Sequence, residues 1–127
     1  MSDGKGYGLE DRLVDFSVVI LDVVDLLPDT KAGNHVAGQL VRAGAAAAPN
    51  YAESQSAESR KHYIHKVRVA LKELKESRVW LKVILRKRMI AGQGLAESTF
   101  AECEELIRIL GKSAATAAAN LGREGGP

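Results

Sequence analysis

The sequence predicts an all-α protein, an up-down-up-down four-helix bundle. Three observations carry that prediction. Apolar residues recur at alternating spacings of four and three along most of the chain, the period of a helix buried on one stripe. The only prolines are Pro28, Pro49 and Pro127, so long helices are uninterrupted over most of the 127 residues. No segment alternates polar and apolar residues with the period of a strand, and short punctuated loops between amphipathic helices favour antiparallel neighbours.

The first helix is expected over about 9–27. Leu9, Leu13, Phe16, Ile20, Val23 and Leu27 form its seam, a single apolar stripe. Pro28 stops it, and Asp29-Thr30-Lys31-Ala32-Gly33-Asn34 reads as the loop. The second is expected over about 35–56 and carries the run QLVRAGAAAAPNYAES. The third, about 58–91, has Tyr63, Val67, Ala70, Leu74, Ser77, Leu81 and Ile84 in its seam, with Ile64, Leu71 and Trp80 widening the apolar face. Gly92-Gln93-Gly94 supplies a turn. Thr99 followed by Glu102 predicts a capping box at the start of a fourth helix over about 99–121. Its stripe is Phe100, Cys103, Ile107, Leu110, Ala114, Ala117 and Leu121. Residues 1–8 and 122–127, both glycine-rich, are expected to be flexible tails of a single domain spanning 9–121.

Composition narrows the class. Apolar residues at 46% and charged residues at 27% suit one domain with its own core. Cys103 is the only cysteine, which excludes an internal disulfide and fits a reducing, cytoplasmic compartment. The N-terminal MSDGKGYGLED has no apolar core of a signal peptide, and acids interrupt the apolar run after it, so no membrane span is expected.

Catalytic signals are weak. GKGYG lacks the GK[ST] ending of a phosphate loop and follows no strand. His62 and His65 lack the Glu-x-x-His spacing of a di-iron bundle, because Ser59 and His62 stand three residues before them. They read as surface residues, and neither a metal nor another cofactor is expected. Cys103 occupies a seam position with no activating base and reads as a small hydrophobe. No small-molecule substrate is expected.

Charge is the stronger signal. Residues 1–29 hold seven acids against Lys5 and Arg12, whereas residues 60–88 hold eleven Lys or Arg against Glu73 and Glu76. Lys61, Arg68, Lys72, Lys75, Lys82 and Arg86 share the face of helix three opposite its apolar stripe. Such a ridge can track phosphates by counterion release. It is also what a solvated face looks like, neutralised by acidic helix one or by a neighbouring subunit. No aromatic residues interleave with it, so base stacking is not indicated.

On a helical wheel Gln39, Arg42, Asn50 and Glu53 fall on one polar stripe with Ala46 inside it. Small residues flank it on both sides, Val36, Leu40, Ala43 and Ala47 on one and Ala37, Val41, Ala45 and Ala48 on the other. The stripe is therefore expected to be at least partly buried. Arg42 and Glu53 lie roughly 16 Å apart along a straight helix, so each must reach another helix, a subunit or a backbone carbonyl. A structural network that fixes register is the reading favoured over a ligand site.

Gln39-Leu40, Arg42-Ala43, Asn50 and Ala52-Glu53 resemble the Q-L-x-R-A/S…N-x-A-E signature of the four-helix-bundle proteins encoded by intervening sequences in bacterial 23S ribosomal RNA genes. The run ESRKHYIHKVRVALKELKESRVWLKVI is similar to a branch of that family with ESRKxxIHK and LKELxE motifs. The likeness covers about residues 9–120. Ala46 stands where members often have Ser, and Ser54 where many have Gly. The resemblance implies a small bundle assembling into a ring-like homo-oligomer, commonly a pentamer, with no enzymatic activity. It also implies an association with ribosomal RNA, and related bundles act as accessory proteins of retroelements that engage a reverse transcriptase or its RNA through a basic surface. The expected partners are thus a second copy and RNA or a nucleoprotein, with the helix-three ridge as the contact. The alternative is a protein-interaction module that binds no nucleic acid, in which acidic helix one meets basic helix three across a subunit boundary.

Overall fold

Residues 8–124 are described in the computed structural model. Four helices follow one another, α1 (Leu9–Asp25), α2 (Lys31–Gln55), α3 (Arg60–Lys87) and α4 (Gly94–Glu124), and no strand occurs among the described residues. Short connections force each helix to run back along its predecessor. α2 packs on α1 and α3, and α4 packs on α3 and α1, while the backbones of α1 and α3 stay apart and only their side chains share the core. The arrangement is the expected four-helix bundle, with α1 and α3 diagonal and pointing the same way.

The seams of α1 and α3 are where the periodicity placed them. Leu13, Phe16, Ile20 and Val23 meet Leu40 and Ala47 of α2, Val67, Leu74, Leu81 and Ile84 of α3, and Leu106 and Leu110 of α4 in one core. Each fully buried Leu or Ile contributes on the order of 2 kcal/mol from area removed from water. The α1–α2 contact is unusually close. A Cβ on Gly44 would lie 2.6 Å from Cγ2 of Ile20, and Ser17 Oγ donates to the Gly44 carbonyl at 2.9 Å.

Several boundaries differ from expectation. α2 begins at Lys31 rather than His35, because Thr30 is its N-cap and accepts from Gly33 N at 3.0 Å. Gly33 is thus a first-turn residue, and its missing side chain makes room for Pro28, whose carbonyl oxygen would sit 2.0 Å from a Cβ there. α3 starts at Arg60 under an N-cap from Ser59 to His62 N. It ends at Lys87, where Arg88 adopts φ 54, the left-handed conformation that terminates helices.

The capping box at Thr99 and Glu102 does not exist. α4 begins at Gly94, and Thr99 lies buried inside it with its hydroxyl donating to the Leu95 carbonyl at 2.7 Å. Glu102 instead accepts two bonds from Arg12 of α1, at 2.7 and 2.9 Å. The buried stripe of α4 is Ala96, Thr99, Cys103, Leu106, Leu110, Ala114 and Ala117, with Phe100 and Ile107 half-buried at its flanks. α4 also runs through Gly122 to Glu124, where a tail was expected. The expected tail residues 1–7 and 125–127 lie outside the described residues.

α1 differs from the other helices in length and in its outer face. It has 17 residues against 25, 28 and 31 in the others, so it covers only part of the bundle's length. It also carries a second apolar stripe where one was expected, for Val14, Val18 and Leu21 face outward, each 44–52% exposed.

Candidate functional site: the outer face of α3 and the α2–α3 seam

α3 is basic on the outside because its acids are turned inward to a neighbour. Arg42 of α2 reaches across to both, forming ion pairs with Glu73 at 3.4 Å and with Glu76. Eleven residues further along α2, Glu53 pairs with Lys66 Nζ at 2.6 Å. On the other flank Arg78 pairs with Glu104 of α4 at 2.9 Å. These contacts fix α3 against both neighbours and hold Glu76 and Glu53 ionised. The hydrogen bond from Arg42 lowers the Glu76 pKa below its ordinary value, and the bond from Lys66 does the same for Glu53.

What remains is a line of cations with no acid opposite. Lys61, Arg68, Lys72, Lys75, Lys82 and Arg86 are all exposed, and none of the six forms an ion pair among the described residues. Neutralisation by α1 within the chain is ruled out, since the acidic helix lies on the diagonal. Two exposed apolar residues interrupt the ridge near its C-terminal end, Val79 at 53% and Val83 at 36% exposure. Together with Lys82, Arg86 and Lys87 they line a shallow groove.

The polar stripe of α2 is more exposed than expected. Arg42 and Glu53 are 52% and 57% exposed in their side chains. The flanks explain this. Val36, Leu40, Ala43 and Ala47 are buried, but on the other flank only Ala48 is, and Ala45 is open to solvent. Gln39 and Asn50 are half-buried, and Asn50 Nδ2 donates to the Ala46 carbonyl at 2.9 Å. Pro49 sits on the solvent side of an uninterrupted α2. The four stripe residues do not converge on one point, and the charged pair clamps α2 to α3 at two separate levels. Sequence reasoning gave Arg42 and Glu53 but missed their partners Glu73, Glu76 and Lys66. Those two acids were the exceptions in an otherwise basic helix, and that was the available signal.

Grooves form elsewhere. One of about 530 Å³ lies between the N-terminal turn of α3 and the C-terminal half of α4, lined by Tyr63, Lys112, Ser113, Thr116 and Asn120 among others. Next to it a second groove is lined by Lys61, His65 and Arg68. No group of three or more His, Cys, Asp or Glu able to hold a metal occurs among the described residues. Among them, too, no helix is long and apolar enough to cross a membrane. Cys103 is sealed in the core, its thiol donating to the Leu74 carbonyl at 3.2 Å, and burial pushes its pKa up to about 12. At the end of the polar stripe Ser54 is buried, donating to the Tyr51 carbonyl at 2.5 Å.

Comparison with known proteins agrees with this architecture. A search of curated proteins finds no match. Among solved structures, the chain is similar to a protein of unknown function from the S23 ribosomal protein family of Bacteroides thetaiotaomicron. The two are 27% identical with a TM-score of 0.74, over 81% of this chain and 94% of the other. The family model for the 23S rRNA-intervening sequence protein matches residues 11–112. The chain therefore belongs to the 23S rRNA-intervening sequence protein family.

Proposed function

We propose that this chain is a non-enzymatic helical scaffold that contacts RNA, alone or within a nucleoprotein, through the basic outer face of α3. One observation carries the reading. Six cations share an exposed helix face, and every acid of that helix is committed to a neighbouring helix. Long-range attraction to a polyphosphate follows from such an unneutralised ridge, and so does a steep dependence on salt. The face carries no aromatic platform and no fixed array of hydrogen-bond acceptors. Contact would therefore be to the phosphate backbone, without base readout.

A second reading, a module that binds protein only, is favoured by Val79 and Val83, which interrupt the ridge with apolar surface that phosphates do not use. Purification without nuclease separates the two, followed by identification of any co-purifying nucleic acid and a salt titration of RNA retention. The first reading expects retention that weakens steeply with salt and is lost in a Lys61→Glu/Arg68→Glu/Lys72→Glu variant. Nucleic-acid-free protein, or retention indifferent to those three substitutions, refutes it.

A further inference from the structure

α4 runs on well past the start of α1, and the side of α4 that α1 leaves uncovered is a groove. Arg12, in the first turn of α1, pairs with Glu102. From there α4 continues another 22 residues to Glu124, about 33 Å at 1.5 Å per residue. Beside α1, Leu95, Ser98, Thr99 and Glu102 of α4 face Asp15, Phe16 and Val19. Ser113, Thr116, Ala117 and Asn120 stand 18 residues after those four, five helical turns on and on the same side of the helix. They line the cavity of about 530 Å³, so it occupies the place a longer α1 would fill. Tyr63 of α3 forms the opposite wall and also borders a neighbouring cavity of about 360 Å³ under the α2–α3 connection.

The groove selects an anion. Residues 95–105 of α4 hold Glu97, Glu102, Glu104 and Glu105 and no cation, whereas 106–123 hold Arg108, Lys112 and Arg123 and no acid. No acid is among the residues that line the groove, and Lys112, which does, has no ion pair among the described residues. Its hydroxyls are set apart too. Ser77, Ser98 and Thr99, in the same two helices, each donate to a backbone carbonyl three or four residues back. Ser113 and Thr116 make no such bond and keep their hydroxyls for the groove. Asn120 Oδ1 accepts from Arg123, which leaves Nδ2 to donate. One ammonium, two hydroxyls and an amide thus stand within about two turns of α4 on one cavity, a set of donors for phosphate oxygens. Across from them the half-buried Tyr63 ring, with Ile109 and Ala117 as floor, offers apolar and aromatic surface. The volume is that of a small-ligand site.

We infer that this groove binds a nucleoside monophosphate, free or as the phosphorylated end of an RNA strand. Lys112, Ser113 and Thr116 take the phosphate monoester, and the base lies against Tyr63, the aromatic surface that the basic ridge lacks. The site is separate from that ridge. At 100° per residue Tyr63 lies about 140–180° around α3 from Lys61, Arg68 and Lys72.

Titration calorimetry on the full chain at one ionic strength, with AMP, UMP, adenosine and inorganic phosphate, tests the assignment. A mononucleotide should bind one per chain, at least about tenfold tighter than adenosine or phosphate. Lys112→Ala should weaken it on the order of tenfold or more, and Thr116→Val several-fold. Both positions are exposed, and circular dichroism checks the fold. Tyr63→Leu should narrow the preference for nucleotide over phosphate. The Lys61→Glu/Arg68→Glu/Lys72→Glu variant should still bind the mononucleotide, so this reading and the RNA reading fail separately. In that variant, competition with a 5′-phosphorylated RNA trimer and its 5′-hydroxyl counterpart distinguishes the sources. Displacement by the phosphorylated trimer alone assigns strand ends, and displacement by neither assigns the free nucleotide. A full chain that binds neither AMP nor UMP, as expected if residues 1–7 filled the groove, would overturn the inference. So would binding indifferent to Lys112→Ala, phosphate bound as tightly as nucleotide, or equal displacement by both trimers.

Discussion

Gly44→Ala is the substitution whose sign the structure decides against intuition. In a helix interior, Gly→Ala ordinarily stabilises by about 1 kcal/mol, since alanine restricts the unfolded chain and favours the helix. Gly38 and Gly111 meet that condition, for a Cβ at either finds nothing within 4 Å. At Gly44 the new carbon would stand 2.6 Å from Cγ2, 3.0 Å from Cγ1 and 3.1 Å from Cβ of Ile20. Ile20 is fully buried and cannot swing aside. Overpacking of this kind costs about 1–3 kcal/mol, and three contacts on a sealed side chain place it in the upper half of that range. Subtracting the helix gain leaves a net loss of about 1–2 kcal/mol, roughly 4 °C in Tm for each kcal/mol at this chain length. Denaturant unfolding followed by circular dichroism, at one fixed protein concentration, would show Gly38→Ala and Gly111→Ala moving up and Gly44→Ala moving down. In an Ile20→Ala background two of the three contacts vanish, so Gly44→Ala should there turn neutral or favourable. A Gly44→Ala chain as stabilised as Gly38→Ala would refute the close approach of α1 and α2.

Other outcomes rest on single contacts. The Cys103 thiol should react with Ellman's reagent only as fast as the chain unfolds. Its pKa is raised to about 12 in the fold against about 8.5 in an unfolded chain. Its contribution is therefore intact below about pH 8.5 and is lost as pH rises toward 12, and Cys103→Ala should lose stability less steeply over that window. Glu76 is depressed by Arg42, so its contribution is present above the unfolded value of about 4.3 and lost as pH falls through the folded one. The stability gap between wild type and Glu76→Gln should close in acid, and a gap that persists there would contradict the pairing. Arg12→Lys should cost up to about 1 kcal/mol by giving up the two-pronged bond to Glu102, and a lysine chain as stable as wild type would show the fork is dispensable.

Seam residues are legible because burial and helical period act together. Leu13, Phe16, Ile20 and Val23, or Leu74, Leu81 and Ile84, have no other arrangement that buries them at once. Where small or polar residues do the packing, the signal fails. Thr99 reads as a cap because its hydroxyl needs a partner, yet a helix interior supplies one four residues back in the Leu95 carbonyl. Gly33 reads as a loop residue, while its role is to let the first turn of α2 pass the Pro28 carbonyl. Size draws the α4 stripe through Phe100 and Ile107, and the core takes Thr99 and Leu106 beside them. For the candidate site, spacing alone is enough to draw the basic face of α3. It is not enough to say which acids are removed from that face, because Arg42 and its partners are 31 and 34 residues apart and only the packing of α2 on α3 brings them together.

The brevity of α1 has a dynamic consequence. With 17 residues and a thin seam against α4, where Asp15, Phe16 and Val19 border an open groove beside Leu95 and Thr99, it is the helix least anchored by its own chain. Local opening begins in such elements, so amide exchange should be fastest in α1 and slowest in α3. The helix that opens first is also the one whose outer face carries exposed apolar residues, Val14, Val18 and Leu21. Any partner that covered that face would slow its exchange by mass action. Deuterium uptake in α1 would then act as a gauge of whether that face is covered.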